Sequence, residues 1–252
     1  MMIVEAIPIL ADNYVWALHD GRSAVLVDPG DAPPILAWLE ARGIVPSGIL
    51  VTHHHWDHVG GLPALLDRFP VPVFGPTRGA APSRPVADGD ILDLPGLPWQ
   101  VRVIDTPGHT RDHVCFAGEG HLFCGDTLFS CGCGRAFEGD PPTLYASLSR
   151  LMELPGETQV HCAHEYTLAN LDFALDVEPD NPALQARDRE ARALRRTGQP
   201  TLPVSLARER ETNPFLRCHL ESVRVAASQH TGRALAPGAQ TFAAVRAWKD
   251  EE

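Results

Sequence analysis

Short apolar runs separated by turn residues occupy the first two-thirds of the sequence. The run at residues 24–27 stops at a turn over 28–30, and the run at 49–51 leads into a histidine-rich loop. Runs of the same kind occupy residues 71–74, 99–104, 113–116 and 121–124. Between them, residues 33–42 and 62–69 place apolar side chains at helical spacing. Because strands alternate with helices, this part of the chain is predicted to form a layered α/β core with helices covering the sheets.

The pattern becomes helical near residue 165. Leucines recur at helical spacing in residues 168–175, and a further helix is predicted to begin at Asn181-Pro182. Asparagine is a favoured residue before a helix, and proline suits its first turn. The last helix is predicted over residues 241–249. We therefore divide the chain after residue 167 into an α/β domain and a small helical domain, at residues 1–167 and 168–252.

Composition narrows the classes of function. Of the 252 residues, 44% are hydrophobic, and 21 Lys and Arg against 32 Asp and Glu give a net charge of −11. An acidic surface repels phosphate backbones, so a nucleic-acid partner is disfavoured. No apolar run approaches the roughly 18–20 residues of a membrane-spanning helix. The N-terminus lacks a signal-peptide pattern, and the six cysteines show no disulfide framework. We expect a cytoplasmic protein without membrane contacts, with a monomer favoured.

Four potential metal ligands lie within six residues, directly after the run at 49–51. They are His53, His55, Asp57 and His58. In an extended segment, residues two apart point to the same side, so His53 and His55 can face one metal. Asp57 and His58 lie at the following turn and can face a neighbouring position. Imidazole and carboxylate donors suit Zn²⁺, Fe²⁺ or Mn²⁺ better than Ca²⁺ or Mg²⁺.

Three further candidate ligands follow apolar segments elsewhere in the chain. His109, Asp126 and His164 each lie close to a glycine or another small residue, which lets the backbone turn tightly. Loops at strand ends on a rigid scaffold are a usual location of chemistry. Unpaired buried His and Asp side chains are costly, so a purely structural origin of all seven is disfavoured. Asp28, at the end of its strand, is expected to support a ligand side chain.

The pattern H-x-H-x-D-H, followed by a lone His, Asp and His, resembles the signature of the metallo-β-lactamase superfamily. The resemblance implies an αββα sandwich of the α/β class and two divalent ions per chain, with zinc favoured and iron or manganese as alternatives. It also implies a metal-bridging hydroxide at Asp57 and Asp126, which would attack a carbonyl carbon. The implied ligand sets are His53, His55 and His109 for one metal and Asp57, His58 and His164 for the other, with Asp126 as the bridge.

Outside these ligands, five short segments carry a second pattern. They are residues 12–14, 132–135, 137–139, 164–167 and 213–217. Through these segments and the helical second domain, the sequence resembles the glyoxalase II family over nearly its full length. The resemblance implies an enzyme, a thioester hydrolase that converts S-D-lactoylglutathione to glutathione and D-lactate in the second step of methylglyoxal detoxification.

The resemblance also assigns the contacts with the glutathione portion of the substrate, to Arg135, Phe137, Tyr166, Arg246 and Lys249. Arg246 and Lys249 are three residues apart and share one face of the last helix. Without the resemblance, that pair would be interpreted as a solvated basic face. The family often has Lys in place of Arg135 and Tyr in place of Phe137. Arginine keeps the charge and can bind a carboxylate with two N–H groups, whereas Phe137 lacks a hydroxyl that could bind the tripeptide.

Alternative functions stay open on the same fold. A persulfide dioxygenase acts on a glutathione derivative with a single iron, so metal content would separate it from a two-metal hydrolase. Another thioesterase of the fold would differ in the acyl group that it accepts. A non-catalytic metal-stabilised scaffold is disfavoured because all seven ligands are present.

Overall fold

The computed structural model describes residues 2–77 and 82–251. The chain forms two compact units that each include two segments. The first unit comprises Met1–Asp105 and Asp112–Gly125, and the second comprises Thr106–Arg111 and Asp126–Glu252. In the described residues, no helix combines the length and apolar character needed to cross a membrane. The predicted domain division after residue 167 stays a prediction.

Two sheets and three helices make up the described part of the first unit. One sheet has the order β1-β2-β3-β4-β5-β6, antiparallel over β1 to β3 and parallel from β3 onward. The other contains the antiparallel strands β10-β9-β8-β7. The elements are β1 (Ile3–Ile9), β2 (Asn13–His19), β3 (Ser23–Val27), α1 (Ala32–Arg42), β4 (Val45–Leu50), α2 (Trp56–Val59), α3 (Leu62–Arg68), β5 (Val73–Gly75), β6 (Arg84–Pro85), β7 (Ile91–Asp93), β8 (Gln100–Asp105), β9 (Val114–Gly118) and β10 (His121–Gly125).

The core of the first unit forms where α1 and α3 pack on the mixed sheet. Ile35 and Leu39 of α1 and Leu65 of α3 belong to one buried apolar cluster with Leu26 and Ile49 of the sheet. Burying each side chain of this size contributes about 1.5–3 kcal/mol to stability. The predicted α/β class is therefore confirmed, and the predicted strands and helices of this unit all form within a few residues of their expected bounds. The strands β1 and β2 were not predicted.

The second unit is mainly helical in its described residues. The hairpin β11–β12 pairs Leu128 with Cys133 and Phe129 with Gly132, and β13 pairs antiparallel with β14. Its elements are β11 (Leu128–Phe129), β12 (Gly132–Cys133), α4 (Pro141–Leu151), β13 (Gln159–Cys162), α5 (Thr167–Val177), α6 (Pro182–Arg196), β14 (Val204–Ser205), α7 (Leu206–Thr212), α8 (Glu221–Thr231) and α9 (Ala239–Asp250).

Local chemistry and aromatic packing define the helices of this unit. The predicted start of α6 is confirmed, because the Asn181 side chain accepts hydrogen bonds from the backbone N–H groups of Ala183 and Leu184. The Phe215 ring lies 5.9 Å from Phe173 and 5.8 Å from Phe242, between centroids. These rings connect the described helices α5 and α9 to the segment after α7. Because Phe242 packs against Phe215, the opposite face of α9 is turned away from this aromatic core.

Candidate metal centre

The first unit carries four of the predicted metal ligands on one loop that follows β4 and continues into α2. His53 and His58 are buried, and donor atoms of these two side chains lie within 4.8 Å of each other. His55 has a donor atom within the same 4.8 Å of one in His53. The Nε2 atom of His58 lies 3.5 Å from Oδ2 of Asp57. The loop thus brings these four donors together within one unit.

Asp28 orients two of these histidines through hydrogen bonds, His58 directly and His53 through Thr52. Its Oδ2 atom lies 3.0 Å from Nδ1 of His58, and it accepts a hydrogen bond of 2.7 Å from the Thr52 hydroxyl. A carboxylate only accepts, so the neutral His58 ring carries its proton on Nδ1 and turns the lone pair of Nε2 toward Asp57. The Thr52 hydroxyl gives its proton to Asp28, so it accepts from Nδ1 of His53 at 3.1 Å. The predicted supporting role of Asp28 is therefore visible in its contacts.

Asn13 fixes the remaining carboxylate of this loop. Its amide Nδ2 donates to Oδ2 of Asp57 over 3.0 Å, and Asn13 itself is buried. Gly30 permits the close approach of the loop after β3, since a Cβ there would lie 1.7 Å from the carbonyl oxygen of Asp57. Sequence reasoning did not assign Asn13 this contact, although the segment 12–14 contributed to the family resemblance.

The second unit carries the other three predicted ligands, and Asp126 lies between the two histidines. Its Oδ2 atom is 3.5 Å from Nε2 of His109, and its Oδ1 atom is 3.3 Å from Nε2 of His164. All three side chains are buried. One carboxylate oxygen therefore faces each imidazole, an arrangement that allows the carboxylate to bridge two metal ions.

Hydrogen bonding and ring contacts hold the two histidines of this unit in place. Nδ1 of His109 lies 2.8 Å from the backbone carbonyl oxygen of Arg135, an acceptor, so the neutral ring carries its proton on Nδ1. The Tyr166 ring stacks on His164 with 4.6 Å between centroids and 10° between planes. The Phe137 ring meets His109 edge-on at 5.4 Å. Each imidazole ring therefore contacts an aromatic side chain, Tyr166 or Phe137, that sequence reasoning assigned to substrate binding.

The donor atoms fit divalent ions. If both imidazoles are neutral, a histidine lone pair faces a carboxylate oxygen both at His58 and at His109, and two acceptors at such distances repel unless a proton or a metal cation lies between them. Two ligands about 2.1 Å from a tetrahedral zinc ion lie about 3.4 Å apart, close to the 3.5 Å and 3.3 Å measured at Asp126. Nitrogen and carboxylate donors of this kind support divalent-metal binding.

A cavity of about 380 Å³ opens beside His109 and Asp126 within the second unit. All five residues predicted to bind the substrate line it. Arg246 is nearly buried, so the solvated basic face considered from the sequence is wrong for that residue. Phe129, Cys133 and Asn170 also line the cavity and were not predicted. Phe129 and Asn170 are identified only by the tertiary structure, because nothing in their local pattern distinguishes them from core residues, whereas Cys133 lies in a segment that contributed to the family resemblance.

A buried polar cluster supports the hairpin β11–β12, which contributes to the lining of this cavity. Glu209 is fully buried and accepts hydrogen bonds from the hydroxyl of Ser130, the backbone N–H of Cys131 and the amide of Asn213. Burial raises the pKa of Glu209 above its ordinary value, an effect partly offset by those donors. The amide of Asn213 also donates to the carbonyl oxygens of Phe129 and Gly132. These contacts hold the segment between Asp126 and Arg135 in one conformation.

Comparisons with known proteins cover the whole chain. Residues 11–164 match the model of the metallo-beta-lactamase superfamily, and residues 165–252 match that of the hydroxyacylglutathione hydrolase C-terminus. The hydroxyacylglutathione hydrolase of Alkalilimnicola ehrlichii is 51% identical, over 100% of both chains. That of Nitrosomonas eutropha is 47% identical, over 98% of this chain and 99% of the relative. The crystal structure of ETHE1 from Myxococcus xanthus superimposes with a TM-score of 0.67 at 25% identity, covering 98% of each chain.

Proposed function

Because this chain belongs to the hydroxyacylglutathione hydrolase (glyoxalase II) family of the metallo-β-lactamase superfamily, we propose that it hydrolyses S-D-lactoylglutathione to glutathione and D-lactate. The proposal includes related 2-hydroxyacylglutathione thioesters and a place in methylglyoxal detoxification. We further propose a cytoplasmic setting, supported by six buried cysteines whose spacing in the sequence shows no disulfide framework.

The proposed metal centre holds two divalent ions through the seven predicted ligands. The loop of the first unit would supply His53, His55, Asp57 and His58, and the second unit would supply His109, His164 and the bridging Asp126. Its support is the pairing of histidine lone pairs with carboxylate oxygens inside each unit. We favour zinc because imidazole and carboxylate donors at these separations suit its coordination, and iron and manganese are the alternatives.

The cavity of the second unit supports a glutathione thioester as the ligand. Its lining combines the metal-facing residues His109 and Asp126 with three cations, Arg135, Arg246 and Lys249. A ligand that fills the cavity contacts both the metal-facing residues and the cations. Its thioester can therefore lie at Asp126 while a carboxylate of its peptide portion binds the cations. Tyr166 and Phe137 would then form apolar walls. Since Phe137 has no hydroxyl, it contributes packing without a hydrogen bond.

The side chains of this chain supply orientation and charge for the hydrolysis. When bound, the metal ions supply Lewis acidity and lower the pKa of water toward neutrality. Asp28 and the carbonyl oxygen of Arg135 hold the imidazole protons of His58 and His109 on Nδ1. Asp57 and Asp126 would supply carboxylate ligands to the metal ions, and the cations would bind the peptide portion of the substrate. A thiolate leaves readily, so no side-chain acid is needed at the sulfur.

One observation carries this proposal. A single cavity is lined by the candidate metal-facing pair and by the three cations. The test is steady-state hydrolysis of S-D-lactoylglutathione with metal content measured on the same preparation. We expect turnover with about two metal ions per chain, and a loss of at least about 100-fold in kcat for Asp126→Asn, as for removal of a group that stabilises the transition state.

Asp172→Asn is a suitable control, because Asp172 is an exposed residue of the same unit that pairs with Arg192. Its activity and metal content should match those of the wild type. Absence of thioester hydrolysis by metal-loaded protein would refute the proposed function. Oxygen-dependent consumption of glutathione persulfide with one iron per chain would instead indicate the dioxygenase reaction.

A further inference from the structure

Asp250, the last residue of α9, joins two of the arginines that line the cavity. Its Oδ1 atom accepts from NH2 of Arg246 over 3.1 Å and lies 3.1 Å from Nε of Arg135. Arg246 lies one turn earlier on the same helix, whereas Arg135 follows the hairpin β11–β12. One carboxylate oxygen therefore connects the helix to the loop at the cavity.

Arg246 depends on this contact because its guanidinium is nearly buried. NH1 donates to the carbonyl oxygen of Cys133 over 3.1 Å, and the group lies 5.0 Å from the centre of the Phe215 ring. Within residues 2–77 and 82–251, Asp250 is the carboxylate that pairs with Arg246. A buried cation requires such compensation, and without it the guanidinium would be displaced toward water.

Arg135 depends on Asp250 for a different reason. Its side chain is 59% exposed, and among the described residues its guanidinium forms an ion pair with Asp250. A long, exposed arginine otherwise samples many rotamers, and a ligand that binds it must first order it. By holding Nε, Asp250 leaves the outer N–H groups of Arg135 oriented for an incoming carboxylate.

We propose that Asp250 is a positioning residue that orients Arg135 and Arg246 for recognition of a carboxylate on the peptide portion of the substrate. The proposal rests on the proposed function for the identity of the ligand. Asp250 acts through the two arginines and touches no reacting atom, so its removal weakens binding while the chemical step is preserved. A carboxylate that merely competed for the arginines would have the opposite effect on binding.

The test uses the full-length metal-loaded protein with an unreactive ligand, S-methylglutathione, titrated by calorimetry. We expect Asp250→Asn to raise Kd about tenfold, the order expected when one or two long side chains must be ordered on binding. For S-D-lactoylglutathione, KM should rise by a similar factor while kcat changes less than about twofold. Asp250→Glu, which keeps the charge, should recover most of the affinity.

Two controls separate positioning from general damage to the fold. Asp172→Asn removes an exposed carboxylate that pairs with Arg192 on the surface of the same unit, and it should leave Kd unchanged. In an Arg135→Met background, Asp250→Asn should have a smaller effect than in the wild type, because part of its action passes through Arg135. Thermal unfolding of each variant reports whether the helix end is intact.

The outcomes are distinguishable from those of the proposed function. Binding of S-methylglutathione without thioester hydrolysis would reject the hydrolase while the Kd comparison still decides the role of Asp250. Hydrolysis together with an unchanged Kd for Asp250→Asn would overturn the inference, and a lower Kd would show that Asp250 competes with the ligand. Failure of the wild type to bind S-methylglutathione would also overturn it.

Discussion

Replacing Gly30 with alanine tests whether the metal ligands of the first unit depend on a close approach of two loops. A Cβ on Gly30 would lie 1.7 Å from the carbonyl oxygen of Asp57 and 2.4 Å from its carbonyl carbon. Ordinary contacts of a Cβ atom begin at 3.4 Å, so the loops must separate by about 1.7 Å. The clash is with backbone, which cannot rotate away as a side-chain tip can.

The residue that this separation of the loops would displace, Asp57, is a candidate metal ligand. Asp57 is held by Asn13 and faces Nε2 of His58 at 3.5 Å. A misplacement of about 1 Å at a reacting centre lowers a rate by about 100-fold, which corresponds to about 2.7 kcal/mol. We therefore expect Gly30→Ala to lose at least this much in kcat/KM and to retain less metal than the wild type.

The assay compares metal content, kcat/KM and thermal unfolding of Gly30→Ala with those of Gly156→Ala. A Cβ on Gly156 would lie 3.3 Å from its nearest neighbour, the Cβ of Ala207, so this substitution needs only a small adjustment. It should leave activity unchanged and alter stability by less than about 1 kcal/mol. Wild-type metal content and kcat/KM in Gly30→Ala would refute the reasoning, because the loops would then separate without disturbing Asp57.

Three further predictions concern individual side chains. Asp28→Asn should lower metal affinity about 10–100-fold, since an amide cannot hold the Nδ1 proton of His58 as a carboxylate does. Competition with a chelator measures this affinity. The control is Asp31→Asn, which removes no side-chain cap bond. Lys249→Ala should raise KM for the thioester several-fold with little change in kcat, because Lys249 lines the cavity and is not one of the proposed metal ligands. Equal losses in both parameters would contradict a binding role. Burial raises the pKa of the Cys133 thiol to about 11, so at pH 8 its alkylation by iodoacetamide should be at least about 100-fold slower in the folded protein than in denaturant; comparable rates, measured by peptide mass spectrometry, would show that the thiol is accessible and ionised.

Local pattern was sufficient for the elements whose signals lie within a few consecutive residues. The apolar runs predicted β3 and β4, and Asn181-Pro182 marked the start of α6, because strand alternation and helix caps depend on near neighbours. The candidate ligands were also recognisable from sequence, since donor residues that follow strands are unusual unless a metal or a reaction needs them. The proposed seven-residue metal centre itself stays a prediction.

The strands β1 and β2 and the helices α4 and α8 were not predicted from the sequence. In β2, every residue is buried, polar Asn13 and His19 included, so the strand shows no alternation of polar and apolar positions. Its position depends on pairing with β1 and β3, which are neighbours only after folding. Tertiary pairing therefore decided β1 and β2, where periodicity was weak.

The tertiary structure alone decided which polar residues support the candidate site. Glu209 and Asn213 lie on and just after α7, about 80 positions from the hairpin that they hold. Asp250 lies near the end of the chain, yet it orients Arg135 beside the cavity. The free energy of a buried or ordered charge depends on the donors and counter-charges around it, and these are brought together only by the fold. Residue type and spacing thus determined the candidate donors, and packing determined the contacts that orient them.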